Sequence, residues 1–255
     1  MGALHEGHLA LVEQARKDYG KVVCSIFVNP LQFNDPKDLE RYPRRLDADR
    51  SLLEEVGCDA VFAPQGDSLF NGFTPATYDL GGLDGHWEGP SRPGHFQGVV
   101  NVVERLFFHV RPDAAYFGEK DRQQLAILRH VAIKLRWPET IVAFPTIRAS
   151  DGLALSSRNL RLDPNERVQA AALYRALVAA DSELKVGTAA SSKAAGLAVM
   201  HAAGVDAEYF GLADPNDLRP LDEIWSGSEA VLLVAARVGP VRLIDNLTAT
   251  RKRTN

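Results

Sequence analysis

Short apolar runs alternate with amphipathic helical patterns through the first 145 residues, and this alternation limits the possible folds more than any other feature. The runs are continuous, as in strands buried on both faces. They cover 22–28, 60–63, 114–117 and 141–144, and the helical patterns cover about 8–17, 46–56, 99–110 and 122–135. Strand–helix alternation predicts an α/β fold with an open parallel sheet. Such sheets bind ligands at the carboxyl ends of their strands, so the segments after each strand are the candidate sites.

The pattern changes after Arg158. Asp163 and Pro164 are a typical helix start and predict a helix to about Leu184. A second helix is expected over about 188–203, followed by strands at 207–210, 231–236 and 241–245. We therefore predict two domains, a sheet domain over 1–146 and a smaller C-terminal α+β domain over 147–255.

One long connection interrupts the alternation. Residues 81–98 contain six glycines and two prolines, and they predict a loop. A loop of this length inside a compact domain is often a functional lid or wall, and a plain surface excursion is the alternative.

Charge and composition exclude several functions. Lys plus Arg number 29 and Asp plus Glu 33, so the net charge is 29 − 33 = −4, and no nucleic-acid surface or polybasic membrane patch is expected. The apolar runs are shorter than the roughly 18 residues of a membrane span. The first residues do not read as a signal peptide. The two cysteines, Cys24 and Cys58, predict free thiols in a reducing cytoplasm.

The first candidate site is the segment from Met1 to His8, which leads into a helix. His5 and His8 lie three residues apart at the helix N-terminus, where free amides and imidazoles can stabilise negative charge on a nucleotide phosphate. Two exposed histidines or a metal-binding pair are the alternatives. The spacing is not that of a zinc protease, and no third ligand is evident, so no metal ligand is assigned.

Three further segments follow strands or join the domains. Amides at Asn29 and Gln32 suit small polar substrates, although Asn-Pro is also a common turn. Lys120 can neutralise phosphate, with Gln124 one helical turn beyond, although an ordinary charged helix start has the same composition. Ser156, Ser157 and Arg158 suit phosphate oxygens, and a capped turn is the alternative.

Taken together, five motifs resemble the pantothenate synthetase (pantoate–β-alanine ligase) family. They are MGALHEGH at 1–8, SIFVNPLQF at 25–33, RPGHFQGV at 92–99, FGEKDRQQL at 117–125 and DGLALSSRN at 151–159. The resemblance runs from Met1 to about Asn246. It implies a Rossmann-like nucleotidyltransferase fold of the His-x-Gly-His type. It also implies ATP-dependent condensation of pantoate with β-alanine through pantoyl adenylate, Mg²⁺ on the phosphates, and a cytoplasmic homodimer.

The resemblance also implies site residues. His8 is the catalytic histidine, acting as proton donor, Gln32 and Gln124 bind pantoate, and Gln32 also binds β-alanine. The stretch from Arg92 to His95 walls the cavity and keeps water from the adenylate. The expected ATP contacts are Met1, Gly2, Ala3, Leu4, His5, Glu6, Gly7, His8, Gly118, Glu119, Lys120, Asp121, Ile147, Leu155, Ser156, Ser157 and Arg158.

Two alternatives remain at this point. One is a nucleotidyltransferase of the same superfamily that acts on a phosphorylated acceptor, because such enzymes share the His-x-Gly-His motif. Its acceptor site would need basic residues where this chain has Gln32 and Gln124. An inactive nucleotide-binding module is the other, because family members carry a strand ending in Val-Pro-Thr before Met1. We expect a chain extended by that strand to be more stable and more active.

Overall fold

The computed structural model describes residues 1–32, 39–40, 42–221, 225 and 227–251, and Phe33 of the second motif lies outside them. The chain divides into two compact units. The first consists of Met1–Glu119 and Gln123–Ile147, and the second of Lys120–Arg122 and the chain from Arg148 onward. The short segment Lys120–Arg122 therefore belongs with residues that follow it by more than twenty positions.

The first unit contains alternating helices and strands, as predicted. Its helices are α1 (Glu6–Tyr19), α2 (Leu46–Glu55), the short α3 (Glu88–Ser91), α4 (His95–Val110) and α5 (Arg122–Leu135, which starts in the second unit). Its strands are β1 (Val23–Ser25), β2 (Ala60–Phe62), β3 (Ala114–Gly118) and β4 (Thr140–Phe144). In the described part of the chain, no helix is both long and apolar enough to cross a membrane.

The strands of the first unit form two parallel pairs. In one pair β1 lies beside β2, with Val23 opposite Ala60, and in the other β3 lies beside β4, with Ala114 opposite Thr140. Parallel pairing confirms the prediction made from the continuous apolar runs. It also sets the carboxyl ends of paired strands next to each other, so Gly118 lies opposite Phe144.

The prediction of a loop throughout 81–98 is wrong. The segment contains the short helix α3, and α4 begins at His95, with Gly94 as its N-cap in the left-handed region (φ +77°). Gly98 lies in the first turn of α4, where a Cβ would come within 2.2 Å of the Leu31 carbonyl oxygen. Glycine here permits close packing of a helix, whereas the composition had indicated a loop.

The second unit is an antiparallel sheet covered by helices. The sheet order is β5 (Ala207–Ala213), β6 (Glu229–Val238) and β7 (Val241–Thr250), and the helices are α6 (Pro164–Ala170), α7 (Ala172–Leu184) and α8 (Ala189–Ala202). The last two strands are longer than predicted, because both continue past their apolar runs in hydrogen-bonded register. The core is formed by apolar side chains of α7, α8 and the sheet, among them Leu173, Leu177, Met200 and Leu232.

The helix predicted from Pro164 to Leu184 is two helices. Its start is confirmed, because the Asp163 carboxylate accepts hydrogen bonds from the backbone N–H groups of Asn165 and Glu166. Ala171 then separates α6 from α7. No glycine or proline marks that position, so the sequence has no signal for the break.

Candidate active site

The segment from Met1 to His8, here called the histidine loop, lies beside the carboxyl end of β1. The Met1 nitrogen donates to the Ser25 carbonyl oxygen (3.0 Å), and the Phe27 N–H donates to the Met1 carbonyl oxygen (3.1 Å). The apolar side chains of Met1 and Leu4 pack against the buried cluster around Cys24. Backbone pairing and apolar packing therefore hold the start of the loop at the strand end where ligands bind in such folds.

A buried carboxylate on α2 holds the middle of the histidine loop. The Ala3 N–H donates to Oδ2 of Asp49 (2.9 Å), and the Leu4 N–H donates to Oδ1 (2.7 Å). Asp49 is 2% exposed. Ala3 has a φ of +48°, in the left-handed region that residues with a Cβ rarely occupy. The conformation is thus held by two charge-assisted bonds to neighbouring amides.

The two histidines face each other at the start of α1. His5 is the N-cap residue, and its carbonyl oxygen accepts from the backbone N–H groups of His8 (2.7 Å) and Leu9 (3.2 Å). The His5 N–H donates to Nδ1 of His8 (3.4 Å), and the two ring centroids lie 3.9 Å apart. In the neutral His8 ring, an accepting Nδ1 places the hydrogen on Nε2. The arrangement therefore combines an imidazole N–H donor with the amide end of a helix.

Gln32 lies at the end of a 3-10 turn (Pro30–Gln32) after β1, and three side chains fix it. Nδ2 of the buried Asn29 donates to the Gly98 carbonyl (3.0 Å) and to Oε1 of Gln32 (3.4 Å). Nδ1 of His95 lies 2.8 Å from the Gln32 carbonyl oxygen, which Arg92 also approaches at 3.5 Å. Arg92 and His95, predicted as part of a wall, therefore contact the residue predicted to bind substrate.

The remaining predicted residues of the first unit follow β3 and β4. Gly118 ends β3, Glu119 begins a 3-10 turn, and Ile147 follows β4, half-buried. Gln124 is half-buried on α5, and the preceding Gln123 is buried. Gln123 accepts from the Glu88 N–H (2.9 Å) and donates to the carbonyls of Leu83 and His86. These three hydrogen bonds hold the first half of the glycine-rich segment 81–98 in place.

In the second unit, a side chain from the middle of β7 holds the backbone of Lys120. The Asn246 side-chain amide donates to the Lys120 carbonyl oxygen (2.9 Å), across 126 residues of sequence. The Lys120 ammonium lies 3.6 Å from the Asp121 carboxylate and is 20% exposed. A residue of β7 thus fixes the backbone of a cationic side chain of the kind that suits phosphate.

Residues 151–158, here called the serine segment, begin within a tight turn (149–152) that a largely buried ion pair anchors. Arg148 binds both carboxylate oxygens of Asp245 (2.6 and 2.9 Å), donates to the Gly152 carbonyl, and stacks on the Tyr174 ring at 4.0 Å. Burial raises the pKa of Asp245, and the Arg148 guanidinium opposes that rise.

The serine side chains lie at the start of a 3-10 helix (Ser157–Arg161). Leu155 precedes it, half-buried. Ser156 is the N-cap residue, and its hydroxyl accepts from the Arg158 N–H (3.3 Å). Ser157 is buried, and Arg158 is half-buried. The expected capping turn is therefore present together with the residue types that suit a phosphate.

Metal-ligating side chains do not converge within the described residues, where no three of His, Cys, Asp and Glu form a group that could hold an ion. The histidine pair has no third ligand of these types beside it in that part of the chain. A resident metal centre built by protein side chains alone, as in a structural zinc site, is therefore not a feature of the described residues.

The residues that hold the candidate site residues in place were not predicted from the sequence. They are Asp49, Gln123, Arg148, Asp245 and Asn246. Only Asp49 could have been found from the sequence. Asp49 lies four residues before Leu53 and seven before Val56, on the apolar side of α2, where a carboxylate needs a partner. The others act on residues distant in sequence, and their partners cannot be read from spacing.

Comparison with known proteins identifies the family. The family model described as pantoate-beta-alanine ligase matches residues 1–248. Pantothenate synthetase from a Nocardioides species is 48% identical, with 97% of this chain and 76% of the relative covered. The Thermus thermophilus pantothenate synthetase is 47% identical, with 97% and 90% covered. These relatives do not favour a nucleotidyltransferase with a phosphorylated acceptor.

Solved structures agree with the sequence relatives. The crystal structure of the Thermus thermophilus pantothenate synthetase matches with a TM-score of 0.92, covering 97% of this chain and 90% of that one. A pantoate-beta-alanine ligase from Francisella tularensis, solved with beta-gamma ATP and beta-alanine, matches with a TM-score of 0.79 at 31% identity, covering 97% and 86%. The family match, the relatives and the parallel α/β architecture together show that this chain belongs to the pantoate–β-alanine ligase family.

Proposed function

We propose that this chain condenses pantoate with β-alanine to form pantothenate, using ATP and releasing AMP and pyrophosphate. The observation that carries the proposal is the histidine loop. A family match over residues 1–248 coincides with two adjacent imidazoles at a helix N-terminus, an arrangement that suits chemistry at a phosphate. The Francisella tularensis relative was solved with beta-gamma ATP and beta-alanine, which supports a site for ATP and β-alanine in this chain.

The reaction needs two steps because a carboxylate is a poor acylating agent. In the first, a pantoate carboxylate oxygen attacks the α-phosphorus of ATP, and pyrophosphate leaves. In the second, the β-alanine amine attacks the carbonyl carbon of the mixed anhydride, AMP leaves with the bridging oxygen, and the amine loses a proton. No covalent bond to the protein is required, so positioning and charge stabilisation supply the rate enhancement.

His8 is the proposed catalytic residue. Its Nδ1 accepts from the His5 N–H, which supports a neutral ring with the hydrogen on Nε2. That N–H can donate to an α-phosphate oxygen as negative charge grows there, or to the oxygen that leaves. The adjacent His5 ring and the N-terminal amides of α1 would add to the same stabilisation. The rest of the histidine loop, through Met1, Gly2, Ala3, Leu4, Glu6 and Gly7, is proposed to line the ATP site.

Gln32 and Gln124 are the proposed pantoate ligands, with Gln32 also contacting β-alanine. Asn29 donates to Oε1 of Gln32, so the Gln32 N–H₂ group is directed away from Asn29 as a donor. Such a donor suits a hydroxy-acid. Arg92 and His95 approach the Gln32 carbonyl, which supports a wall that keeps water from the adenylate.

Further ATP contacts are proposed at charged and hydroxyl side chains. Lys120 and Arg158 supply positive charge for phosphate oxygens, and the hydroxyls of Ser156 and Ser157 supply hydrogen bonds. The bond from Asn246 to the Lys120 carbonyl supports this role, because it fixes the segment that carries the ammonium group. Gly118, Glu119, Asp121, Ile147 and Leu155 complete the proposed set.

Mg²⁺ is proposed to arrive with ATP. This ion usually keeps several waters and is held by substrate phosphates with one or two carboxylates, so it does not require a cage of three protein ligands. Asp121, beside Lys120, is a carboxylate that fits this requirement. When bound, the ion would neutralise charge on the phosphates. An ATP-dependent rate that rises and saturates with added MgCl₂ and is lost in excess EDTA would support the proposal.

Three broader expectations remain proposals: the homodimer rests on the family alone, the cytoplasmic location on the family and the two free cysteines, and the domain division on the change of pattern after Arg158. The enzyme is proposed to be a homodimer, to reside in the cytoplasm, and to have domains divided at 146/147. Light scattering of purified protein tests the dimer, and fractionation of cells tests the location. Limited proteolysis tests the division, which predicts a cut near residue 147 that leaves two resistant fragments.

The function is tested by AMP formation with each substrate omitted in turn. All three substrates should be required for steady AMP release, and pyrophosphate should appear with ATP and pantoate alone. AMP formed steadily without pantoate would refute the proposed reaction. An enzyme that uses a phosphorylated acceptor in place of pantoate would favour the alternative nucleotidyltransferase.

A further inference from the structure

Asp49 is a buried carboxylate that the proposed chemistry does not use. It lies on α2, it is 2% exposed, and its two oxygens accept from the N–H groups of Ala3 and Leu4 at 2.9 and 2.7 Å. Burying a charge is unfavourable unless partners satisfy it. Here the named partners are two consecutive amides of the histidine loop, so the carboxylate acts on the backbone of that loop.

The conformation that Asp49 holds is one that the loop does not prefer. Ala3 has a φ of +48°, and a residue with a Cβ is disfavoured there. Both neighbouring amides must point toward the same carboxylate for the two bonds to form. Without that acceptor, the backbone of residues 3 and 4 is expected to relax toward the extended or right-handed region.

The loop transmits this constraint directly to the histidines. Leu4 precedes His5, the N-cap residue of α1, and the His5 N–H donates to Nδ1 of His8. A rotation at Ala3 or Leu4 would therefore alter the direction of the His5 N–H and with it the orientation of the His8 ring. Four residues separate Ala3 from His8, the proposed catalytic residue, and hydrogen bonds cover most of that path.

We infer that Asp49 is a positioning residue for adenylate formation, setting the backbone at residues 3 and 4 and thereby the imidazoles of His5 and His8. The inference rests on the proposed function and extends it to a residue distant in sequence. It predicts that the isosteric change Asp49→Asn is harmful, because an amide offers one oxygen and one N–H₂ group. One of the two loop amides would then face a donor.

The first test is the rate of pyrophosphate release in a single turnover with ATP and pantoate. Asp49→Asn should lower this rate by about 10- to 100-fold, the scale of a misplaced catalytic group. The KM for pantoate should change by less than about twofold, because Gln32 is held by Asn29 and His95. Asp47→Asn is the matched control, since Asp47 is an exposed carboxylate on the same helix, and its rate should stay that of the unaltered chain.

A double variant separates positioning from general destabilisation. If Asp49 acts through His8, then Asp49→Asn should lower the rate of a His8→Ala enzyme by no more than about threefold. Full multiplication of the two losses would overturn the inference. In addition, ¹⁵N spectra of the histidines should show a changed His8 ring environment in Asp49→Asn and an unchanged one in Asp47→Asn.

Amide hydrogen exchange tests the contact without any variant. In the unaltered chain the Ala3 and Leu4 amides should exchange slowly although they lie in a loop, since each is bonded to a buried acceptor. Fast exchange at both would overturn the inference even if Asp49→Asn did not fold. The outcomes also separate the two claims. An inactive unaltered enzyme contradicts the proposed function, whereas an active enzyme with equal rates for Asp49→Asn and Asp47→Asn contradicts only the role of Asp49.

Discussion

The histidine loop and the serine segment both carry proposed ATP contacts, yet different interactions hold them. The histidine loop is fixed through its backbone, because one buried carboxylate accepts from two consecutive amides. The serine segment begins in a turn fixed by side chains, where Arg148 forms a bidentate pair with Asp245 of β7 and stacks on Tyr174. Both anchors are buried charges, but only the second joins the residues of a large apolar core.

This difference predicts that substitutions at the two anchors affect different properties, the reaction rate in one case and the free energy of unfolding in the other. Asp49 determines the shape of a loop that contributes few apolar side chains to a core, so a change there should affect the rate more than the stability. The pair Arg148–Asp245 joins the turn to an antiparallel sheet, so a change there should affect the free energy of unfolding first.

Arg148→Ala should destabilise the protein most. It leaves the Asp245 carboxylate buried without its cationic partner, at a cost of about 3–5 kcal/mol in the free energy of unfolding. Arg167→Ala is the control, because the Arg167–Asp151 pair is partly exposed and should contribute at most about 1 kcal/mol. Urea unfolding followed by circular dichroism measures both. Equal losses for the two variants would contradict the contrast drawn here.

The loss of stability in Arg148→Ala should be smaller at low pH than at neutral pH. Burial raises the pKa of Asp245, and removing the guanidinium removes the effect that opposes this rise. The folded variant then binds a proton more tightly than the unfolded chain does. Its stability relative to the unaltered chain should therefore worsen as the pH rises from the ordinary carboxyl range through the raised folded-state pKa, level off above that pKa, and improve again as the pH falls back through it. A gap that is constant from pH 7 to about pH 4 would contradict the burial argument.

His8→Ala should lower the rate of adenylate formation and leave the stability of the protein unchanged. Loss of one donor to a developing oxyanion typically lowers the chemical step by about 10²–10³-fold. His201→Ala, an exposed histidine of the second unit, is the control and should have no effect. Single-turnover pyrophosphate release gives the rates, and thermal unfolding checks the folds. A normal rate in His8→Ala would remove the histidine loop from the chemistry.

Asn246→Ala tests whether the second unit also positions a contact. It removes the donor to the Lys120 carbonyl, a bond worth about 0.5–1.5 kcal/mol, which corresponds to about a two- to tenfold rise in the KM for ATP. The KM for β-alanine should stay unchanged. Asn216→Ala, an exposed asparagine of the same unit, serves for comparison. An unaltered KM for ATP would show that Lys120 does not depend on this bond.

The smallest effect concerns the core beneath the histidine loop. Burial raises the pKa of Cys24 to about 11, and its Sγ lies 3.7 Å from Sδ of Met1. At pH 8 only about one thiol in a thousand would be ionised, and the thiolate is the reactive form. Brief treatment with iodoacetamide should therefore add one group, at Cys58, and two after denaturation. Two adducts on the native protein would show that the loop lifts readily from its core.

Much of the fold followed from periodicity. Continuous apolar runs predicted the parallel pairs, and the helix over 122–135 has the predicted bounds because its apolar side chains recur at helical spacing. The errors have physical causes. Gly98 indicated a loop but lies inside a helix, where it allows contact with the Leu31 carbonyl. The break at Ala171 has no residue that marks it.

The candidate site was predictable only in part. Residues proposed to touch substrate were identified by their motifs, since those motifs are local in sequence. Residues that hold the motifs in place were not, because Asp49 acts across 46 positions and Asn246 across 126. Such partners depend on tertiary packing, which spacing does not encode.

In the proposed reaction, pantoate is activated when its carboxylate oxygen bonds to the α-phosphorus of ATP. The most direct test uses pantoate with both carboxylate oxygens labelled with ¹⁸O, followed by mass spectrometry of the products. The bridging oxygen leaves with AMP, so each AMP should carry one ¹⁸O and each pantothenate should keep one. AMP without label, formed while pantothenate accumulates, would contradict the adenylate mechanism.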